Sequence, residues 1–361
     1  KEEIEEALFT RVRDIFNLEL DLVLWDTTST YFEGLTGGEL ARYGFSKDHR
    51  SDRVQVLIGL LITKEGIPVA HQVFPGNTND VDTFKEALAV VRDRFKLRKV
   101  VLVGDRGMVS EKRLAEIEEA GLEYIVGVKM RKIKTMSEVL SRRGRYRTVK
   151  DNLKVKEVLH EGKRYIVCLN PEEAERDLKV RDQIIEQLNK RITHDGIKSL
   201  IGNSAYRKFL KIEGPRPGID QQAIKDEEMY DGKYVILTNN QEMSSAEVAL
   251  AYKDLWRVER AFREMKSGLD LRPVYHWTDS RIQGHIMICF LAFLLESALR
   301  RKLEQAGMKL RYCDMMEDLK RLLAIQVKHE GKTYITRTQL VGKAYEVFKA
   351  LVLQPPHNVQ Q

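Results

Sequence analysis

Three acidic residues stand out by their settings: Asp26 closes the apolar run of "LVLWDTTSTYFEG", Asp105 follows "KVVLVG", and Glu259 lies within "SSAEVALAYKDLWRVERAFREMKSGL". Carboxylates gathered from distant parts of one chain are hard oxygen donors, the ligand type that magnesium prefers. Two such ions activate a water or a 3′-hydroxyl and stabilise a leaving oxygen, so the chemistry these residues would do together is phosphoryl transfer. Asp48, Asp52, Asp80 and Asp82 compete for such a role, but they lie in loop-like segments and none ends an apolar strand.

Placing the three carboxylates side by side requires particular elements. From Leu18, "LELDLVLWDTT" alternates as a strand ending at Asp26, and "RVQVLIGLLITKEGIPVAHQVFPG" reads as two strands joined at Lys64-Glu65-Gly66. "NTNDVDTFKEALAVVRDRF" offers polar capping residues before a helical period. "KVVLVGDRG" is a short strand of the type buried on both faces, with Asp105 just past its end. "SEKRLAEIEEAG" gives a helix stopped by Gly121, and "LEYIVGVKM" a fifth strand. Three strands, helix, strand, helix, strand is the order of an RNase H-like α/β core. In that core a mixed five-stranded sheet is flanked by helices, and acidic residues at adjacent strand ends converge on one edge.

The expected organisation has a tail of an N-terminal helical region over 1–17 and a first part of the core over 18–130. An inserted mixed α+β subdomain, largely β, follows over 131–230, between the second and third carboxylates. A second part of the core covers 231–305, and a C-terminal helical region covers 306–361.

The third carboxylate sits on a helix with clear punctuation. Ser244 and Glu247 fit a capping box, and Gly268 is a natural stop. Leu255, Val258, Phe262, Met265 and Leu269 form one apolar stripe. Tyr252, Glu259 and Lys266 are spaced by seven and, at about 100° per residue, fall in line beside that stripe, with Trp256 and Arg263 just beyond. Glu259 therefore lies where the buried face meets solvent, within reach of the sheet edge.

"DTTS" at Asp26, "GDRG" at Asp105, and Y-x2-L-x3-E-x6-K from Tyr252 through Glu259 to Lys266 together resemble the DDE transposases of bacterial insertion sequences. The subgroup resembled has a Y-x2-R-x3-E-x6-K signature, and the likeness runs from about Leu18 to Leu299. The signature arginine would fall at Leu255, inside the apolar stripe, leaving Arg257, Arg260 or Arg263 to contact phosphate. "LRPVYHWTDSRIQGHI" resembles the continuation of this region, and its Arg281 and His285 share a helical face.

The resemblance implies two Mg2+ ions, replaceable by Mn2+, with Asp26 bridging both, Asp105 on one and Glu259 on the other. It implies DNA as partner, both element ends and target, and a homodimer in the DNA complex. Lys266 and Tyr252 would hold a phosphate near the scissile bond, and Trp256 would support a displaced base. Arg106, Thr27 and Thr28 would orient the metal ligands or touch DNA. A nuclease or resolvase without strand joining, and a catalytically silent DNA-binding remnant, are the other readings the residues leave open.

Composition agrees with a polyanionic partner. The net charge is +7 with a pI near 9.1, and a basic run from Lys129 to Lys150 contains one acidic residue before Asp151, Glu138. Cys168, Cys289 and Cys313 are far apart, with no CxxC pair, as expected of reduced thiols in a cytosolic protein; the resemblance implies a bacterial cytoplasmic protein, nucleoid-associated when bound. No secretory signal is visible, and the apolar stretch Ile286 to Leu295 is too short for a bilayer and reads as a buried helix, so no membrane is expected; the resemblance implies DNA, not a small molecule, as substrate. The sequence begins at Lys1 rather than Met, as a fragment or a processed product would.

Overall fold

The strand that carries Asp26 does not end there. In the computed structural model, β1 (Leu22–Tyr31) continues five residues beyond Asp26, paired antiparallel with β2 (Gln55–Thr63) from Val23 opposite Thr63 to Tyr31 opposite Gln55. Asp26 is thus a mid-strand residue. The polar stretch Thr27 to Thr30 suggested a loop, but these side chains are buried and mostly β-branched, which favours extended backbone. The described residues are 1–16, 22–34, 38–79, 82–83, 86, 89–90, 94–95, 101–105, 110–119, 121–133, 135–192, 197–213, 216–308 and 312–360. The expected strand start at Leu18 and about half of the helix expected over 77–95 lie outside them.

β3 (Pro68–Pro75) returns from β2 through the predicted Lys64-Glu65-Gly66 turn, where Gly66 takes φ +86°. β4 (Val101–Gly104) and β5 (Glu123–Gly127) add in parallel on the other side of β1. β11 (Lys233–Thr238) pairs antiparallel with β5, and β8 (Lys163–Leu169), β7 (Leu153–His160) and β6 (Arg147–Lys150) continue outward. The whole is one nine-stranded mixed sheet of order β3-β2-β1-β4-β5-β11-β8-β7-β6.

Segment 131–230, expected as an inserted subdomain, divides accordingly. β6 to β8 belong to the main sheet. Residues from α4 (Pro171–Ile192) through α5 (Ile197–Gly202), α6 (Ser204–Arg207), the hairpin β9 (Leu210–Glu213) and β10 (Arg216–Ile219) and α7 (Gln221–Glu228) pack round a small core of their own, centred on Leu188, Leu200, Tyr206 and Phe209.

Alternation along each strand sorts the side chains onto two faces. Leu22 and Leu24 join the core beneath α8 (Ser245–Lys253), α9 (Trp256–Gly268) and α10 (Asp279–Gln305). Val23 and Trp25 join the opposite core, with Phe9 of α1 (Glu2–Phe16), Ile117 of α2 (Glu111–Glu119) and Val139 of α3 (Met136–Ser141). Trp25 fits because β2 has Gly59 beneath it, where an added Cβ would stand 2.2 Å from the indole ring.

α10 is 27 residues long and apolar enough to meet the length and composition of a membrane span. Its Ile282, Ile286, Phe290 and Phe293 are instead buried in the sheet's core, as the sequence led one to expect for a core helix. The region 306–361, expected to be helical, contains α11 (Tyr312–Lys320) and α12 (Ala344–Ala350) but also a three-stranded sheet of β12 (Ala324–His329), β13 (Lys332–Arg337) and β14 (Val359–Gln360). Glu330 and Gly331, at φ +49° and +74°, turn β12 into β13. That pair of left-handed residues is the hairpin signal the reading of this segment passed over.

Candidate active site

Strand register brings the first two carboxylates together. β1 and β4 run parallel with Leu24 opposite Val103, and extending that alignment by two residues sets Asp105 level with Asp26. β4 ends at Gly104, and among the described residues no strand pairs with β1 beside Asp26 on that side, where Asp26 faces the cleft. The expected convergence at adjacent strand ends is thus reached with one strand ending and the other continuing. The Thr27 N–H donates to Asp26 Oδ1 at 2.7 Å, and the Tyr252 hydroxyl donates to Asp105 Oδ1 at 3.1 Å.

The third carboxylate arrives on a broken helix. Ser244 and Glu247 form the capping box reciprocally, as predicted. The helix expected to run to Gly268 is interrupted at Asp254 and Leu255, where Leu255, Arg257 and Val258 donate to carbonyls three residues back. This tightening separates α8 from α9 and sets Glu259, exposed, on the first turn of α9. Leu255, Val258, Phe262 and Met265 are buried, so the predicted stripe is the face packed on the sheet, and a side chain at Leu255 lies against the apolar core.

Asp26, Asp105 and Glu259 line one cleft of about 330 Å3, together with Tyr252, Leu255, Trp256, Lys253 and Tyr234. Lys253 and Tyr234 were missed by the sequence reading. Tyr234 stacks on Tyr252, ring centroids 5.9 Å apart, and its only signal was its place at the start of a resumed apolar strand. Trp256 is 45% exposed, with the Arg257 guanidinium 5.0 Å from its ring centre.

Other expected residues lie elsewhere. Lys266 does not line the cleft: its Nζ donates to Asp48 Oδ1 at 2.8 Å, and Arg272 donates to the same oxygen at 2.6 Å. The Lys266 and Asp48 side chains are 9% and 5% exposed. Burial holds Lys266 below the ordinary lysine value, against the opposing pull of Asp48. Arg260 donates to Glu264 at 2.8 Å and lines a neighbouring cleft that also holds Arg300 and Arg301. Arg263 is exposed, and Thr28 is buried in β1. Arg281 is exposed on α10, and half-buried His285 meets His276 edge-on at 5.4 Å. Arg106 lies outside the described residues. Thr27 instead receives Lys47, whose Nζ donates to the threonine carbonyl and hydroxyl at 2.8 Å each.

The donor chemistry of the cleft fits a hard divalent cation. Three carboxylates offer oxygen only, without the sulfur or imidazole that a zinc site favours. Among the described residues no three acidic, histidine or cysteine side chains form a ready-made metal cluster. Glu259 is exposed and free of packing, so its carboxylate can turn into the cleft, and a magnesium-type shell leaves positions for water and phosphate oxygens.

The sequence pattern of the family described as "Transposase DDE domain" matches residues 21–295, a span that contains all three carboxylates. No curated protein matches the chain. Among solved structures it is similar to "Mos1 transposase paired-end complex with left transposon end", at 11% identity over 34% of this chain and 40% of that one, with a TM-score of 0.20. It is likewise similar to "Crystal structure of the Mos1 mariner paired end complex with Mn", at 12% identity, the same coverage of both chains and a TM-score of 0.20. The alignment therefore spans well under two thirds of those chains, 40% of each.

Proposed function

The chain belongs to the transposase DDE-domain family, and on that premise we propose that it is the transposase of a bacterial insertion sequence. It cuts phosphodiesters at element ends and joins them to target DNA, acting as a homodimer on that DNA. The observation that carries this reading is the cleft shared by Asp26, Asp105 and Glu259, which reach it from β1, the end of β4 and α9. The strand order β3-β2-β1-β4-β5, with β4 and β5 parallel to β1, supports an RNase H-like core beneath it.

Asp26, Asp105 and Glu259 would hold the divalent cations through their carboxylate oxygens. When bound, two Mg2+ ions, or Mn2+ in their place, supply an activated oxygen nucleophile and charge stabilisation for the leaving oxygen. The protein's own residues do the positioning. Tyr252 fixes one oxygen of Asp105 by its hydrogen bond and leaves the other for an ion. Lys253, exposed at the cleft, offers a point charge to a backbone phosphate. Trp256 presents its ring to a base next to the reacting phosphate. Leu255 has no polar atom to give, so phosphate recognition passes to residues at the mouth of the cleft.

The test is incubation of the full chain with a labelled element-end duplex and Mg2+ or Mn2+, with nicked and joined products resolved on a gel. Nicking and joining are expected, and Glu259→Ala should lower both roughly a hundredfold or more. Cleavage that survives Glu259→Ala undiminished would falsify the site assignment, and nicking without joining would make the protein a nuclease.

A further inference from the structure

At the far end of β1 the molecule displays aromatic rings that its own packing does not use. Phe45 is 86% exposed, Trp277 72%, Tyr275 65% and Tyr43 57%. They lie on two loops, 38–45 and 272–279, that are tied down rather than trailing. Val274 donates to the Tyr31 carbonyl at 2.9 Å and accepts from the Glu33 N–H at 3.0 Å. The N–H groups of Glu39 and Leu40 donate to the Asp279 carboxylate at 3.1 Å each, and the Gln55 side chain donates to the Phe45 carbonyl at 3.0 Å. Val274 takes the core position at 0% exposure, so the loop satisfies its packing while leaving Tyr275 and Trp277 in solvent.

Arginines stand beside these rings, interleaved with the carboxylates of Glu33, Asp52 and Asp279. Arg42 donates to the carbonyls of Gly38 and Ala41, which orient its guanidinium without neutralising it. Arg50 lies over the Tyr31 ring at 4.9 Å but is paired with Asp52 at 2.8 and 2.9 Å, whereas Arg281 is exposed on the first turn of α10. Rigidly held aromatic faces among cations are what unpaired bases and their backbone bind, since each base has a face to stack and each linkage a charge. A duplex offers such faces only at its ends.

We infer that the two loops form a base-stacking surface for single-stranded DNA, taking the strand that leaves the cleft. This location rests on the proposed reading of that cleft. From Asp26 to Phe32, where β1 meets the aromatic loop at Val274, the strand spans about 20 Å. At ~3.4 Å per stacked nucleotide the rings stand about six nucleotides from the reacting phosphate. The surface therefore receives an end or flank that has separated from its complement.

The experiment measures fluorescence anisotropy of the full chain with a labelled oligothymidylate and, separately, with a blunt duplex. Trp277→Ala and Tyr275→Ala should each weaken oligothymidylate binding about tenfold, and Trp277→Phe should restore it to within about twofold. Duplex affinity should hold. Unchanged oligothymidylate binding, an equal loss for both DNAs, or a dimer that dissociates on Trp277→Ala in sedimentation would each overturn the proposal. Glu259→Ala separates this inference from the cleft reading: it should lower cleavage roughly a hundredfold or more and leave oligothymidylate affinity intact. If that variant cleaves undiminished, the cleft reading fails, while the Trp277 comparison continues to decide the surface.

Discussion

Lys266 lies seven residues after Glu259, and on a straight helix such residues drift by only about 20° per heptad. That is why Tyr252, Glu259 and Lys266 looked like one line in the sequence. Lys266 nevertheless stands two turns, about 10.5 Å, along α9 from Glu259, where the buried carboxylate of Asp48 takes it, so that it joins α9 to the loop carrying Asp48 and to Arg272. Removing Asp48 leaves an almost buried ammonium with no counter-charge. Asp48→Ala should therefore cost roughly 3 to 5 kcal/mol of stability, whereas Lys266→Met should cost less because Arg272 still pairs the aspartate. Urea unfolding of the two variants checks this, and equal midpoints would show that Asp48 is not the anchor. Asp26, Asp105 and Glu259 were legible because each sits in a setting with a pattern: a strand, the end of a strand, the margin of an amphipathic helix. Lys253 and Lys47 carried no such signal, and Tyr234 only its place at the start of an apolar strand. Their positions follow from which strand lies beside which, and a local pattern does not contain that.

At the scale of elements, α1 is held to β3 by a buried polar cluster as well as by apolar contact. Glu5, 1% exposed, lies 2.6 Å from His71 Nδ1, accepts from the His71 backbone N–H at 3.2 Å and pairs with Arg94 at 2.6 Å, while Lys1 donates to the His71 carbonyl at 2.6 Å. Burial by itself would raise the Glu5 carboxyl, but the hydrogen bond and charge of His71, with Lys1 and Arg94, hold it below the usual range. Burial lowers the His71 imidazole against the pull of Glu5. Both groups thus have folded values below their unfolded ones, so the unfolded chain takes up protons first as pH falls. Their contribution is complete above about pH 6.5, the ordinary histidine value, and is lost progressively in acid. The amides of α1 should lose hydrogen-exchange protection on going from pH 7 to pH 5 while those of β1 keep theirs. Glu5→Gln should expose α1 already at neutral pH and flatten the profile. Equal pH response in α1 and β1 would rule the clamp out.

For the molecule as a whole, strand order separates what the chain can lose from what it cannot. The antiparallel and parallel pairings up to β5 were readable because alternation, turn residues and continuous apolar runs each fix a local choice. Residues 131–230 were read as one insertion because a change in local composition looks the same whether the segment leaves the sheet or extends it. β8 pairs with β11 over six residues, so β6 to β8 cover what would otherwise be an open edge at β11. The helical part behaves differently. The chain leaves the sheet after Leu169 and returns at Lys233 directly opposite, with the Asn170 N–H donating to the Gly232 carbonyl at 2.8 Å. A short Gly/Ser linker can bridge that gap, and the excised residues 174–228 take most of their own small core with them. The main losses are the Arg181 pair with Asp231, at 2.6 Å, and the contact of Glu227 with Arg131, since Lys208, the other partner of Glu227, is excised with it. Replacing 174–228 should give a soluble protein that unfolds cooperatively a few degrees lower, in line with the loss of about 1 to 2 kcal/mol. Replacing 147–169 should give aggregated protein, because it uncovers β11 across the middle of the sheet. Circular dichroism melts and sedimentation of the two deletions distinguish these outcomes, and a well-folded 147–169 deletion would show that β6 to β8 are an accessory after all.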